Sequence, residues 1–314
     1  MKQTEQAPAH REEAFTRKDI SFGTEDYRIR GWLYLPAGED LPVIVMAHGF
    51  GALKEMYLDR YAERFAGAGF AVVVFDYRSF GDSDGLPRNE VNPWRQIDDY
   101  RHAITYAGSI AEVDENRIGI WGTSYSGGHV LAVAAADKRV RCAVSQVPTV
   151  SGTESSKRRV PAEQVQALHA SFQEDRLCRM EGGQPAVRTV ASLEAADRSI
   201  YGSGEAADWY MTAGMLSPNW TNEVTLRSVE YSRWYDPGHL IEMVSPVPLL
   251  MIVGTEDTVT PADLALKAYE KALEPKRLAL LRGGHFDPYV KEFDYSSGEA
   301  VRWFKQHLEQ AMPL

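Results

Sequence analysis

The chain of 314 residues has only two cysteines, Cys142 and Cys178. Two are too few for a disulfide framework, and Cys142 falls within an apolar, strand-like run. Basic residues are also in deficit: 34 Lys and Arg stand against 44 Asp and Glu, a formal charge of −10. That balance argues against nucleic acid or an anionic membrane as partner and reads as an acidic surface. No apolar run approaches the roughly 20 residues of a membrane span. The opening M-K-Q-T-E-Q-A-P-A-H-R-E-E has no apolar core of the signal-peptide kind. A cytoplasmic protein is expected, with a flexible tail over residues 1–14. Internal repeats and low-complexity tracts are missing, and no His, Cys or carboxylate grouping has metal-ligand spacing. The sequence therefore calls for no metal and no cofactor. Apolar residues, at 44%, suffice for a large core.

Hydrophobic periodicity divides the chain into three parts. Residues 18–35 alternate around T-E-D and predict an antiparallel hairpin. Strands at 42–47, 70–75, 117–121 and 140–146 then alternate with helices near Met56–Ala68, Pro93–Ala107 and up to Ala136. Such alternation predicts an α/β fold, a mostly parallel twisted sheet with helices on both faces. It stops near Val147 and resumes at Val247, with helices near Pro261–Leu273 and Glu299–Gln310. The expected organisation is a core over 15–147 and 246–314, interrupted by a helical lid over 148–245 between the sixth and seventh strands. Within the lid, helix-like pieces stand at 162–177 and 205–216.

Arg117 to Gly128 read R-I-G-I-W-G-T-S-Y-S-G-G, an apolar strand, a serine among small residues, then a small-residue helix. A side chain at Gly122 would collide as the backbone doubles back, while Gly127 and Gly128 let the helix approach the sheet. This is the geometry of a nucleophile elbow, with Ser124 exposed on a strained turn. A serine hydroxyl needs a base to take its proton and a carboxylate to orient that base. After the apolar run ending at Val253 comes G-T-E-D, offering Asp257; after Leu281 comes R-G-G-H-F, offering His285. An oxyanion hole is expected from the backbone N–H groups of Phe50, in H-G-F-G-A, and Tyr125.

The set H-G-F-G, D-Y-R-S-F-G-D-S, G-T-S-Y-S-G, G-T-E-D and G-G-H-F resembles the α/β-hydrolase superfamily from about Ile20 to Leu308. Ser126 stands where the second glycine of G-x-S-x-G belongs. The elbow is instead similar to that of the X-Pro dipeptidyl-peptidase and cocaine-esterase branch. P-N-W-T-N-E-V-T-L-R-S and D-L-A-L-K-A-Y-E-K-A-L-E-P-K resemble single-domain relatives of that branch, among them esterases and fungal polyketide thiohydrolases or acyltransferases. The resemblance implies a serine hydrolase acting on an ester, thioester or lactone of a small, largely apolar substrate through an acyl-enzyme. Acyl transfer with the same triad and X-Pro peptide cleavage are the alternatives, and a ligand-binding protein with a retired triad is a further one. A homodimer is compatible with the sequence.

Rival readings attach to several residues. Glu256 competes with Asp257 as the acid, and Ser126 reads as a capping or packing residue. His48 reads as part of the oxyanion turn, and His129 as a core or groove residue. Asp76 and Arg78 read as a buried pair bracing the neighbouring loop. G-F-G-A has neither the lysine nor the spacing of a phosphate loop. The inserted segment is rich in aromatics (Phe172, Trp209, Tyr210, Trp220, Trp234, Tyr235), most of them expected in a small core. Trp209, Tyr210 and Trp234 are the candidates for a substrate pocket.

Overall fold

A computed structural model describes residues 14–194 and 199–309. The tail expected over 1–14 lies outside the described residues except for Ala14. Strands β1 (Phe15–Gly23) and β2 (Arg28–Pro36) form the antiparallel hairpin, Phe15 opposite Pro36 and Gly23 opposite Arg28. Then follow β3 (Leu41–Ala47), α1 (Leu58–Ala66), β4 (Ala71–Phe75), α2 (Pro93–Gly108), β5 (Val113–Thr123), α3 (Tyr125–Ala136) and β6 (Val140–Gln146). After the inserted segment come β9 (Leu249–Gly254), α8 (Ala262–Lys271), β10 (Lys276–Leu281) and α9 (Phe293–Leu308).

Eight strands form one sheet in the order β1-β2-β4-β3-β5-β6-β9-β10, and only β2 runs against the others. The mostly parallel sheet expected from the alternation is present, as is the α/β-hydrolase fold that the resemblance implied. Strands covered on both faces read as unbroken apolar runs, as in Ala71–Phe75 and Leu249–Gly254, where every residue is buried. Helix α3 is buried on all sides from Tyr125 to Ala135, which is why V-L-A-V-A-A-A has no polar face. The order of connection reverses between β3 and β5, so the crevice beyond their carboxyl ends is where this architecture places a ligand.

The inserted segment is more regular than its sequence. Besides α5 (Ala162–Met180) and α6 (Glu205–Gly214), it holds α4 (Gly152–Arg159), α7 (Leu226–Ser232) and a 3₁₀ turn over Pro237–Val244. It is not purely helical, because β7 (Val187–Thr189) pairs with β8 (Glu223–Thr225) in a separate small sheet. These pieces are too short to show a period of their own. Helix α9 also begins at Phe293 rather than near Glu299. S-S-G at 296–298 reads as a breaker, yet Ser296 is buried and its hydroxyl lies 2.7 Å from that of Tyr61.

Candidate active site

Four strand ends converge on one point. Ser124 follows β5 directly, Phe50 lies in the turn after β3, and Asp257 and His285 lie in the turns after β9 and β10. The backbone of Ser124 has φ 58° and ψ −117°, a region in which a side-chain-bearing residue costs about 1–3 kcal/mol. The surroundings impose that conformation. A Cβ on Gly122 would stand 2.4 Å from the Ser126 carbonyl oxygen, and one on Gly128 2.4 Å from that of Thr149. Gly122→Ala is accordingly expected to destabilise the fold by about 1–3 kcal/mol, because the obstacle is backbone and cannot swing away. A lowered melting temperature together with lowered turnover checks this; a variant as stable and active as the parent would refute it.

Ser124 Oγ lies 2.9 Å from His285 Nε2, and His285 Nδ1 lies 2.7 Å from Asp257 Oδ2. All three residues are buried. The carboxylate can only accept, so Nδ1 carries the proton and Nε2 is left to accept from the serine hydroxyl. The other carboxylate oxygen, Asp257 Oδ1, accepts from the backbone N–H groups of Val259 (2.9 Å) and Thr260 (2.8 Å). Glu256 instead points outward, 66% exposed at its side chain.

Thr260 is a site residue that the sequence did not single out. Its hydroxyl lies 2.8 Å from Asp257 Oδ2, 3.1 Å from His285 Nδ1 and 2.9 Å from the Val147 carbonyl oxygen. It thereby ties the acid turn to the end of β6. The signal available was D-T-V-T-P, where a hydroxyl three residues after an aspartate precedes a helix start.

The turn after β3 is held against Ser124 from several sides. A Cβ on Gly49 would come within 2.8 Å of Ser124 Cβ. The Gly49 N–H donates to His48 Nδ1 at 2.7 Å, so Nε2–H of the same ring donates to the Met56 carbonyl at 2.8 Å. Burial pushes His48 down to about 4, which keeps the ring neutral in this bracing role. From the inserted segment, the Tyr210 hydroxyl donates to the Phe50 carbonyl at 2.6 Å and Trp220 Nε1–H to that of Gly51 at 2.9 Å. The rings of Phe50 and Tyr125 meet edge to face at 5.5 Å.

The other candidates sort by their neighbours. Ser126 Oγ is buried 2.8 Å from the Tyr77 hydroxyl, away from the imidazole. His129, within α3, bridges the Tyr235 hydroxyl and Gln96, and burial lowers it to about 3. Asp76 and Arg78 do not pair with each other. Asp76 holds the buried Lys54 at 2.6 Å, while Arg78 Nε donates to Asp99 at 2.6 Å. The strand ends at Phe75 and the chain turns at Arg78, so the two side chains leave in different directions and meet different partners.

The three aromatic candidates divide in the same way. Trp209 is stacked on Phe286 at 4.8 Å and flanked by Tyr289 and His48, a packed position behind the imidazole. Tyr210 is committed to the Phe50 carbonyl. Trp234 is turned to solvent, 76% exposed, which corrects its reading as a pocket wall. A cleft that adjoins the triad through Tyr125 and Thr260 is lined instead by Phe50, Ser155, Arg159 and Tyr201, among others. Trp209→Ala should therefore cost about 3–5 kcal/mol, and Trp234→Ala no more than about 0.5 kcal/mol. Denaturant unfolding checks both, and equal losses would contradict the assignment.

Among the described residues no helix is long and apolar enough to cross a membrane, and no group of three or more His, Cys, Asp and Glu side chains is placed to hold a metal ion.

In sequence and fold the chain is similar to several known proteins. The chain is 35% identical to the quorum-quenching protein AidA of Acinetobacter baumannii, over 87% of its own length and 89% of that protein's. It is 33% identical to a thiohydrolase of Eupenicillium brefeldianum, over 86% and 88% of the two chains. The crystal structure of the α/β hydrolase GrgF from Penicillium sp. sh18 superposes with a TM-score of 0.82 at 28% identity, covering 94% of this chain and all of the other. Residues 26–287 match the model of the X-Pro dipeptidyl-peptidase (S15) family, and the chain belongs to that family.

Proposed function

We propose that the protein is a serine hydrolase that cleaves an ester, thioester or lactone of a small molecule through an acyl-enzyme intermediate. The observation that carries this reading is the hydrogen-bonded chain from Ser124 through His285 to Asp257 at the switch point of the sheet. Ser124 Oγ attacks the substrate carbonyl carbon while His285 Nε2 takes the hydroxyl proton. The carbonyl oxygen becomes an oxyanion facing the N–H groups of Phe50 and Tyr125, an arrangement in which each donor contributes about 3–4 kcal/mol. Collapse of the intermediate expels the alcohol or thiol, which takes its proton from His285. A water then gives its proton to His285 and attacks the acyl carbonyl, freeing the acid and restoring Ser124. Asp257 keeps the imidazole in the required tautomer and stabilises its charged form.

Residues 148–245 act in this reading as a lid. They supply Tyr210 and Trp220 to the oxyanion turn and α4 to the wall of the cleft. The similarity to a thiohydrolase and to a quorum-quenching protein supports hydrolysis of an activated or cyclic ester, although the family takes its name from peptide cleavage. A fluorophosphonate probe should label Ser124, and a panel of p-nitrophenyl esters and acyl thioesters should be turned over. A protein that neither labels nor hydrolyses any member of the panel would overturn the assignment.

A further inference from the structure

The narrow cleft that adjoins the site through Phe50, Tyr125 and Thr260, about 40 Å³, has one charged wall. Arg159, the last residue of α4, lines it together with Tyr125, Tyr201 and Thr260. Its guanidinium lies over the Tyr201 ring, 4.9 Å from the centroid, and donates once to the Val259 carbonyl at 3.1 Å. Val259 belongs to the turn that holds Asp257, so the cation is anchored to the acid's own loop. The neighbouring Lys157 and Arg158 have carboxylate partners in Glu154 and Asp263. Arg159 has none within ion-pair distance among the described residues. A guanidinium carries five N–H donors, and most of these are left for something else. Tyr125, another lining residue, is buried, and its hydroxyl has no hydrogen-bond partner among the described residues. A cation on a cleft wall with no acidic partner among the described residues suits an oxygen-rich anion. The remaining walls combine apolar surface from Phe50, Ile200, Val259 and the Tyr201 ring with small hydroxyl residues such as Ser155 and Ser156, a lining that suits a short chain ending in a polar group.

We propose that the cleft binds a carboxylate at the far end of the substrate's acyl chain, with Arg159 as its cationic partner. The substrate class is then a half-ester or half-thioester of a short dicarboxylic acid. A planar carboxylate fits both the fork of a guanidinium and the narrowness of the cleft. The inference rests on the reading of Ser124 as nucleophile and adds a specificity determinant to it.

Two measurements separate the two ideas. In the first, kcat/KM is compared between mono-p-nitrophenyl glutarate and a neutral p-nitrophenyl ester of equal chain length ending in an isopropyl group. The parent enzyme should favour the charged ester by about tenfold or more, the scale of a charge-assisted hydrogen bond. Arg159→Gln should reduce that ratio at least tenfold, Arg159→Lys should restore part of it, and added salt should lower it in the parent. In the second, monomethyl glutarate is titrated calorimetrically into the Ser124→Ala protein with and without Arg159→Gln, a readout that requires no turnover. Binding that is lost with Arg159 supports the proposal even if Ser124 is not the nucleophile. An active enzyme indifferent to the carboxylate, or a ratio unmoved by Arg159→Gln, overturns it and leaves the hydrolase reading intact.

Discussion

Ser124→Ala is expected to lower ester turnover by a factor on the order of 10⁴ to 10⁶ while leaving the fold in place, because the triad acts as a unit. The substitution removes one atom, Oγ, whose hydrogen bond is to His285 Nε2. The unusual backbone at this position, φ 58°, is fixed by the close approaches at Gly122 and Gly128 rather than by the hydroxyl, so alanine inherits it. The control is Ser126→Ala. Its hydroxyl faces Tyr77 within a buried pair, and losing it strands the Tyr77 hydroxyl at about 1–3 kcal/mol. That variant should melt earlier yet still label with a fluorophosphonate. Labelling that survives Ser124→Ala but not Ser126→Ala would move the nucleophile by two residues.

The parts of this site written locally were legible in the sequence. A strand, a tight turn and a small-residue helix need only neighbours along the chain to be recognised, so the Ser124 elbow and its flanking glycines stood out. Asp257 and His285 followed from their positions just past apolar runs. Side chains whose partners come from distant segments were not legible. Thr260 acquires its place from the end of β6, through Val147, a residue far away in sequence. Asp76 and Arg78 looked like a pair because they are two residues apart, but Lys54 and Asp99 reach them from other elements.

The inserted segment shows the same limit on a larger scale. Its short helices and its three-residue strands are stabilised by what they pack against, and no periodicity announces them. Its aromatic content predicted a pocket wall, whereas the structure uses Trp209 as packing behind His285 and Tyr210 as a brace on Phe50. The residue that gives the cleft its charge, Arg159, ends a run of three cations, Lys157-Arg158-Arg159, that reads in the sequence as an ordinary helix terminus. Only the pairing of its neighbours distinguishes it.

Asp257→Asn should cost about 10⁴ in turnover, and the hydrogen bonds explain the mechanism. Asp257 Oδ1 accepts two backbone N–H groups, from Val259 and Thr260. An asparagine must put its only oxygen there, because an NH₂ group facing two donors would lose both bonds. The amide NH₂ then occupies the Oδ2 position and donates toward His285 Nδ1. That reverses the imidazole: Nδ1 must accept, so the proton moves to Nε2, which faces Ser124 Oγ and can no longer take its proton. The side chain keeps its shape, so stability should change far less than activity. Glu256→Gln alters a carboxylate 66% exposed and 4.0 Å from Arg282, and turnover should stay within about twofold of the parent. Steady-state kinetics on the two purified variants, with circular dichroism to establish folding, decide the matter. If Glu256→Gln were the more damaging, the acid would lie one residue earlier than the geometry indicates.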